Sequence, residues 1–282
     1  MYDVMIKSFP SGRKVYQISE KPIMTFFVDK PEREEKENAR IIDFGESTSD
    51  VPVNKERSLR RTKQKIYDIA FANDWEYFVT VTFDKEKVDR FNYDEVVKKY
   101  SKQLDNLKQR EFKDMAYMMV PELHENGAYH FHGLIKGMPE KAFQKAINPH
   151  TGREIRVKNQ IIYNCDKFNL GHNTFSKIID SQKASTYLSK YITKTLVDDL
   201  KGKKKYWSSR GLAKPTVEKL YIADEKLKEE IALSLLNSGE AVSTVTKSIK
   251  TPEYSNTFQY IVTQPGADPQ YIYRVLLTRQ SR

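Results

Sequence analysis

The chain has 282 residues, and 48 Lys and Arg against 38 Asp and Glu leave a formal net charge of +10. A hydrophobic share of 39% with 17 Tyr, 14 Phe and 2 Trp excludes a mainly disordered chain, and no run of 18 apolar residues is present to cross a membrane. A lone cysteine, Cys165, excludes a disulfide scaffold and any zinc site built from several thiolates. The opening Met1-Tyr2-Asp3-Val4 carries no basic-then-apolar signal, so a reduced, cytoplasmic protein is expected. Excess positive charge combined with aromatics points toward nucleic acid.

Residues 1 to 55 read as an irregular N-terminal arm. Within it, Met5-Ile6 and Val15-Tyr16-Gln17-Ile18 suit a short hairpin around Pro10-Ser11-Gly12. Lys30 to Lys36 and Gly45 to Asp50 read as solvated loop. A helix is then predicted through Arg57, Arg60, Arg61, Lys63 and Lys65 to Phe71, with Ser58 as its cap. Its cations are either a solvated face on a core helix or a phosphate-contacting surface. Phe78-Val79-Thr80-Val81-Thr82-Phe83 reads as a strand. Val96, Val97, Tyr100, Leu104 and Leu107 give a helical stripe over residues 93–110.

Two strands, 115–123 and 129–135, flank Glu125-Asn126-Gly127-Ala128, a hairpin signal. One or two strands are expected in 154–164 and a long helix over 181–196. Lys201 to Lys205 form a basic loop before Tyr206-Trp207. The remainder, 216–282, offers a helix at 224–237 and strands at 257–263 and 271–277. No Gly-x4-Gly-Lys-Ser/Thr loop occurs, so neither an ATPase nor a helicase is expected in this chain. The element order predicts an α+β domain over 56–215, with an antiparallel sheet and helices on one side.

His130-Phe131-His132 is the sharpest feature. On a strand both imidazoles share a face and Phe131 points to the other. Two convergent imidazoles are half a divalent-metal site. Gly133 follows and leaves the backbone beside them uncrowded. A third ligand must come from the neighbouring strand, where Glu122 and His124 compete. A two-residue turn at Asn126-Gly127 would set residue 123 opposite 130 and turn Glu122 away. A three-residue loop, 126–128, would set Glu122 opposite His132 and His124 opposite His130. Pro121 argues for the irregular version, with Glu122 as ligand. Two imidazoles and a carboxylate suit Mg²⁺ or Mn²⁺ at a phosphate, and zinc is an alternative. The bland alternative is a pair of surface histidines holding no metal.

The segment 184–196 carries a second feature. Ala184, Leu188, Ile192 and Leu196 step by four as a buried stripe. Tyr187, Lys190, Tyr191 and Lys194 form an adjacent stripe, the two tyrosines about 6 Å apart. These tyrosines either pack at the core boundary or act as a nucleophile pair, with the lysines favouring phenolate or holding phosphate.

Together, Phe78 to Phe83, His130-Phe131-His132 and Tyr187 to Lys194 resemble the HUH (histidine–hydrophobic–histidine) endonucleases that start rolling-circle replication. The likeness is to the two-tyrosine type, as in filamentous-phage gene II and plasmid initiators, and covers residues 57–215. The resemblance implies an RRM-like (ferredoxin-like) central antiparallel sheet with flanking helices. It implies His130, His132 and Glu122 around Mg²⁺ or Mn²⁺. Tyr187 or Tyr191 would then nick single-stranded or hairpin origin DNA in a bacterial host cell, leaving a 5′-phosphotyrosine and a free 3′-hydroxyl. The other tyrosine would serve rejoining. Arg57, Arg60, Arg61, Lys63, Lys65, Lys203, Lys204, Lys205 and Arg210 would follow the DNA backbone, while Tyr206 and Trp207 stack on bases or pack in the core. A host helicase and polymerase are the implied partners. A transposase or relaxase of the same superfamily, and a non-catalytic nucleic-acid-binding module, are the competing readings.

Overall fold

The computed structural model describes residues 1–24, 51–193, 196, 200, 203–250 and 255–266; for 51–58 and 250 it describes the backbone alone. Expectations for residues 30–36, 45–50, 194, 201 and 271–277, and for the side chains of Arg57 and Ser58, lie outside this set. The chain divides into two compact units, residues 49–214 and residues 1–48 with 215–282.

The second unit joins the two ends of the chain in one sheet. Strands β1 (Tyr2–Ser8) and β2 (Lys14–Ile23) form the expected hairpin, where Gly12 takes the positive φ of +78° that the turn demands. The terminal segment 1–24 is therefore regular strand where irregular chain was expected.

The larger unit opens with α1 (Val51–Phe71), which starts well before Ser58. Pro52 lies in its first turn, where a missing amide proton costs nothing, so Ser58 stands inside the helix and not at its start. Next come β3 (Tyr77–Phe83), α2 (Tyr93–Asn106) with a π-helical turn at Leu107–Glu111, β4 (Ala116–Leu123) and β5 (Tyr129–Lys136). Short strands β6 (Gln144–Lys145) and β7 (Arg156–Val157) precede β8 (Gln160–Asn164) and β9 (Gly171–Lys177). Helix α3 (Ser181–Lys190) and β10 (Trp207–Ser208) complete it. In the terminal unit, β11 (Thr216–Leu220), α4 (Glu225–Asn237), β12 (Ala241–Lys250) and β13 (Ser255–Thr263) follow, giving the order β11-β1-β2-β13-β12.

The main sheet is antiparallel, in the order β10-β4-β5-β3-β9-β8-β6. Strand period sorts its residues by parity. Val79, Val81, Phe83, Phe131 and Met119 are buried on one face, under Tyr100 of α2. The Tyr100 ring meets Phe83 at 5.5 Å and Phe131 at 5.1 Å between centroids. Burying each such ring contributes about 1.5–3 kcal/mol. Phe78, Thr80, Thr82, His130 and His132 share the opposite face, and Tyr187 of α3 and Tyr191 after it lean onto Phe78. Helices thus flank both faces, not one: the stripe on α2 and the stripe on α3 each need their own apolar surface.

Gly133 stands opposite Met119 on β4. A Cβ there would lie 2.2 Å from Met119 Sδ and 2.6 Å from the Met118 carbonyl. The glycine makes room for a core methionine on the α2 side rather than clearing the histidine side. Gly133→Val is expected to destabilise the protein by about 1–3 kcal/mol through overpacking, read as a lowered urea midpoint with an unchanged slope.

Candidate functional site

The histidine pair is placed by its hairpin. Leu123 pairs with Tyr129, the His124 amide donates to the Ala128 carbonyl at 2.9 Å, and the Gly127 amide donates to the His124 carbonyl at 2.8 Å. Residues 125–127 form the loop, because Gly127, with φ +83°, takes the left-handed position that closes a three-residue turn. The loop is therefore three residues, but shifted one back from 126–128. Glu122 stands opposite His130 and Val120 opposite His132. This differs by one residue from the two-residue-turn register and by two from the three-residue-loop register, so it shares the latter's parity and leaves Glu122 on the histidine face. Pro121 does not interrupt the register, and β10 pairs with β4 only at Met118 and Met119.

Diagonally across the two strands, Glu122 Oε2 lies 2.7 Å from His132 Nε2. The other ring nitrogens are held from β3: Thr80 Oγ1 is 3.1 Å from His132 Nδ1, and Thr82 Oγ1 is 3.3 Å from His130 Nδ1. Such bonds fix tautomer and ring orientation. Sequence reasoning took Phe78 to Phe83 as a motif and missed these two threonines, although strand period alone puts both on one face. It also missed β9, which sets His172 opposite Thr82 on the same face. His124, the rival ligand, stacks on His130 with centroids 5.2 Å apart.

Burial is the main cause that holds both His130 and His132 below the ordinary histidine pKa of 6.5. The His124 charge adds to this at His130, and the Glu122 carboxylate pulls both the other way. Both rings are therefore neutral at pH 7 and keep the lone pair that a ligand needs. Among the described residues no three His, Cys, Asp or Glu side chains are gathered as a ready-made metal cage. Glu122 and His132 touch, while the ring of His130 lies against His124.

The tyrosines reach this cluster from α3. Asp180 caps the helix by accepting from the Lys183 amide, and Leu188 and Ile192 are buried. The helix stops at Lys190, short of the expected 196, with Tyr191 as its C-cap. Ile192 and Thr193 are β-branched, and Thr193 Oγ1 accepts from the Leu196 amide at 3.1 Å. Tyr191 stacks on His132, centroids 3.7 Å apart and rings within 10° of parallel. Burial first, and then Tyr187 and Glu122 beside it, raise the Tyr191 phenol above its ordinary pKa. Tyr187 meets the Tyr191 ring edge-on at 5.3 Å and is 49% exposed. Lys190 is exposed.

The basic residues divide. Arg60, Arg61 and Lys65 are exposed on α1, Lys63 is half-buried, and α1 packs beside α3. Tyr206 lies under Lys65, 5.9 Å from its Nζ. Arg210 is exposed. Trp207 turns to the α2 side, against Tyr93 at 5.9 Å and Phe131 at 5.3 Å. Lys203 bridges to Asp94 at 2.8 Å, Lys204 sits over Trp207, and Lys205 Nζ donates to the Leu200 and Lys203 carbonyls. The structure thus gathers Glu122, His130, His132, Tyr187 and Tyr191, and leaves Lys203, Lys204 and Trp207 on the other side of the sheet.

The fold defines an α+β protein with a large antiparallel sheet and flanking helices. Within it, residues 76–196 match the sequence model of the replication-associated protein family that groups ORF2 proteins with phage gene II proteins, so the resemblance to gene II-type rolling-circle initiators holds over the segment that carries the three motifs. No curated protein and no solved structure matches the chain. Among the described residues, no helix is long and apolar enough to cross a membrane.

Proposed function

We propose that this chain initiates rolling-circle replication by nicking single-stranded or extruded origin DNA with a tyrosine. The observation that carries this reading is the stack of Tyr191 on His132, whose Nε2 is in contact with Glu122. Motifs some 60 residues apart meet there. Nothing in the packing of an amphipathic helix calls for a tyrosine on a histidine that is itself tied to a carboxylate.

His130, His132 and Glu122 would hold Mg²⁺ or Mn²⁺: the carboxylate and the substrate's phosphate oxygens suit either ion, and the two neutral imidazoles favour Mn²⁺ of the two. When bound, the ion would supply positive charge that polarises the scissile phosphate. Thr80 and Thr82 hold the imidazoles in place. A phenol oxygen from α3 or its C-cap attacks phosphorus; the O–P bond forms and the bond to the 3′-oxygen breaks. The phenolic proton passes to solvent and the departing 3′-oxygen takes one up, leaving a 5′-phosphotyrosine and a 3′-hydroxyl. A second phenol next to the first allows the strand to be transferred again. Lys190, exposed beside Tyr191, would pair with phosphate, as would Arg60, Arg61 and Lys65 on α1. A host helicase and polymerase would extend the freed end.

The test is incubation with a single-stranded DNA pool and Mn²⁺, followed by denaturing electrophoresis. A protein–DNA adduct is expected with the native chain and none with Tyr187→Phe plus Tyr191→Phe. Cleavage that persists in that double variant, or in excess chelator, would overturn the mechanism.

A further inference from the structure

The site has two ends. At one, Tyr191 lies on His132 and Phe78. From there β5 runs back through His130 to the 125–127 turn. At that second end stands a pair of residues outside every motif, Arg90 and Phe91, in the loop between β3 and α2. This loop is tied to the site by its backbone: the Tyr129 amide, next to His130, donates to the Arg90 carbonyl at 2.8 Å. It is also stiffened from within. Asp89 Oδ1 accepts from the Phe91 amide at 3.1 Å, and Asn92 Oδ1 caps α2 by accepting from the Asp94 and Glu95 amides.

Both side chains are poorly used by the fold. Phe91 is 56% exposed, so its ring is open to a stacking partner from solvent. Its ring lies against the turn, since a Cβ placed on Gly127 would be 3.8 Å from Phe91 Cδ1. The Arg90 guanidinium lies 5.5 Å over the Phe91 ring, and its Nε is buried with no hydrogen-bond partner among the described residues. An arginine held over an exposed aromatic ring, at the rim of a phosphate-chemistry site, has the donors for a phosphate and the platform for a base.

The chemistry says which nucleotide goes there. In phosphoryl transfer the attacking and departing oxygens stand roughly in line on opposite sides of phosphorus. On the nicking reading the attacking phenol comes from the Tyr191 end, so the departing 3′-oxygen would lie on the far side of phosphorus, away from Tyr191. We infer that Arg90 and Phe91 form the subsite for the nucleotide on the 5′ side of the cut, its base stacked on Phe91 and its own phosphate paired with Arg90. The inference rests on the nicking reading above and assigns residues to the half of the DNA that departs with the free 3′-hydroxyl.

The experiment uses the full chain, Mn²⁺ and a randomised single-stranded DNA pool, with sequencing of both the freed 3′ ends and the DNA left in the adduct. Phe91→Ala and Arg90→Ala are expected to lower cutting about tenfold and to flatten base preference immediately 5′ of the cut. Preference on the 3′ side should stay as in the native chain, and Phe91→Tyr should restore the 5′ preference. Unchanged rate and preference, or a change confined to the 3′ side, would overturn the subsite. If the native chain forms no adduct at all, the nicking reading fails by itself. The platform is then decided by anisotropy of fluorescein-labelled (dT)12 in chelator: Phe91→Ala should weaken binding about tenfold and Phe91→Tyr should restore it, while equal binding by all three would overturn it.

Discussion

Tyr191→Phe is expected to lower formation of the protein–DNA adduct by on the order of a thousandfold or more, whereas Tyr187→Phe should retain the first cut and lose the second strand transfer. The substitution removes one oxygen and keeps the ring, so the stack on His132 and the C-cap of α3 survive. What disappears is the atom that bonds to phosphorus. On the proposed mechanism, this order follows from position. Tyr191 lies on a histidine that contacts Glu122, while Tyr187 is half exposed one helical turn back. The Tyr191 phenol is held above its ordinary pKa by burial, so it enters the reaction protonated and must lose its proton as the bond forms. Adduct yield from a single-stranded substrate measures the first step, and circular product measures the second. Loss of adduct in Tyr187→Phe with survival in Tyr191→Phe would reverse the order; survival in both single variants would make the tyrosines interchangeable.

How far these residues could be read in advance depended on whether the signal was local. Strand period is local, so β3, β4 and β5 and the common face of His130 and His132 were visible in the sequence. Phe131 went to the core as its parity required. The turn was visible as Asn126-Gly127, but its exact frame was not. Only the backbone decides that Gly127 rather than Ala128 closes the loop, and that one-residue choice sets which side chain faces Glu122. Strand β9 was missed because His172-Asn173-Thr174-Phe175-Ser176 has little of the β-branched, apolar composition that marks a strand. It is held by pairing with β3, and Asn173 is buried, accepting from the Cys165 amide and donating to the Cys165 and Phe168 carbonyls. Helix α3 was read too long because its apolar stripe continues to Leu196, while the helix itself ends at Lys190 with Tyr191 as its C-cap. The sheet shared by the two chain ends depends on pairs such as Ile261 with Tyr16, which no local pattern reveals.

The second large effect concerns the histidines. His130→Ala plus His132→Ala should abolish both nicking and Mn²⁺ binding; because His132 is buried under Tyr191, a thermal melt of the variant checks that the fold survives. The threonines behind them provide a graded test. Thr80→Val keeps the volume and removes the oxygen 3.1 Å from His132 Nδ1, so metal affinity should fall about 10–100-fold. Acidity should act through the same rings. Both folded pKa values lie below the ordinary 6.5. As pH falls through 6.5 the unfolded chain takes up protons first, so the stability due to neutral imidazoles, complete above that value, is lost on further acidification. Metal affinity needs the same neutral rings. It should therefore hold near pH 6.5, where an exposed histidine is already half protonated, and collapse only at lower pH. Calorimetric titration with Mn²⁺ across this range, alongside thermal melts without metal, reads the two effects separately. Mn²⁺ binding that is indifferent to the histidine and threonine substitutions would move the ion elsewhere and leave Glu122 and His132 as a structural pair.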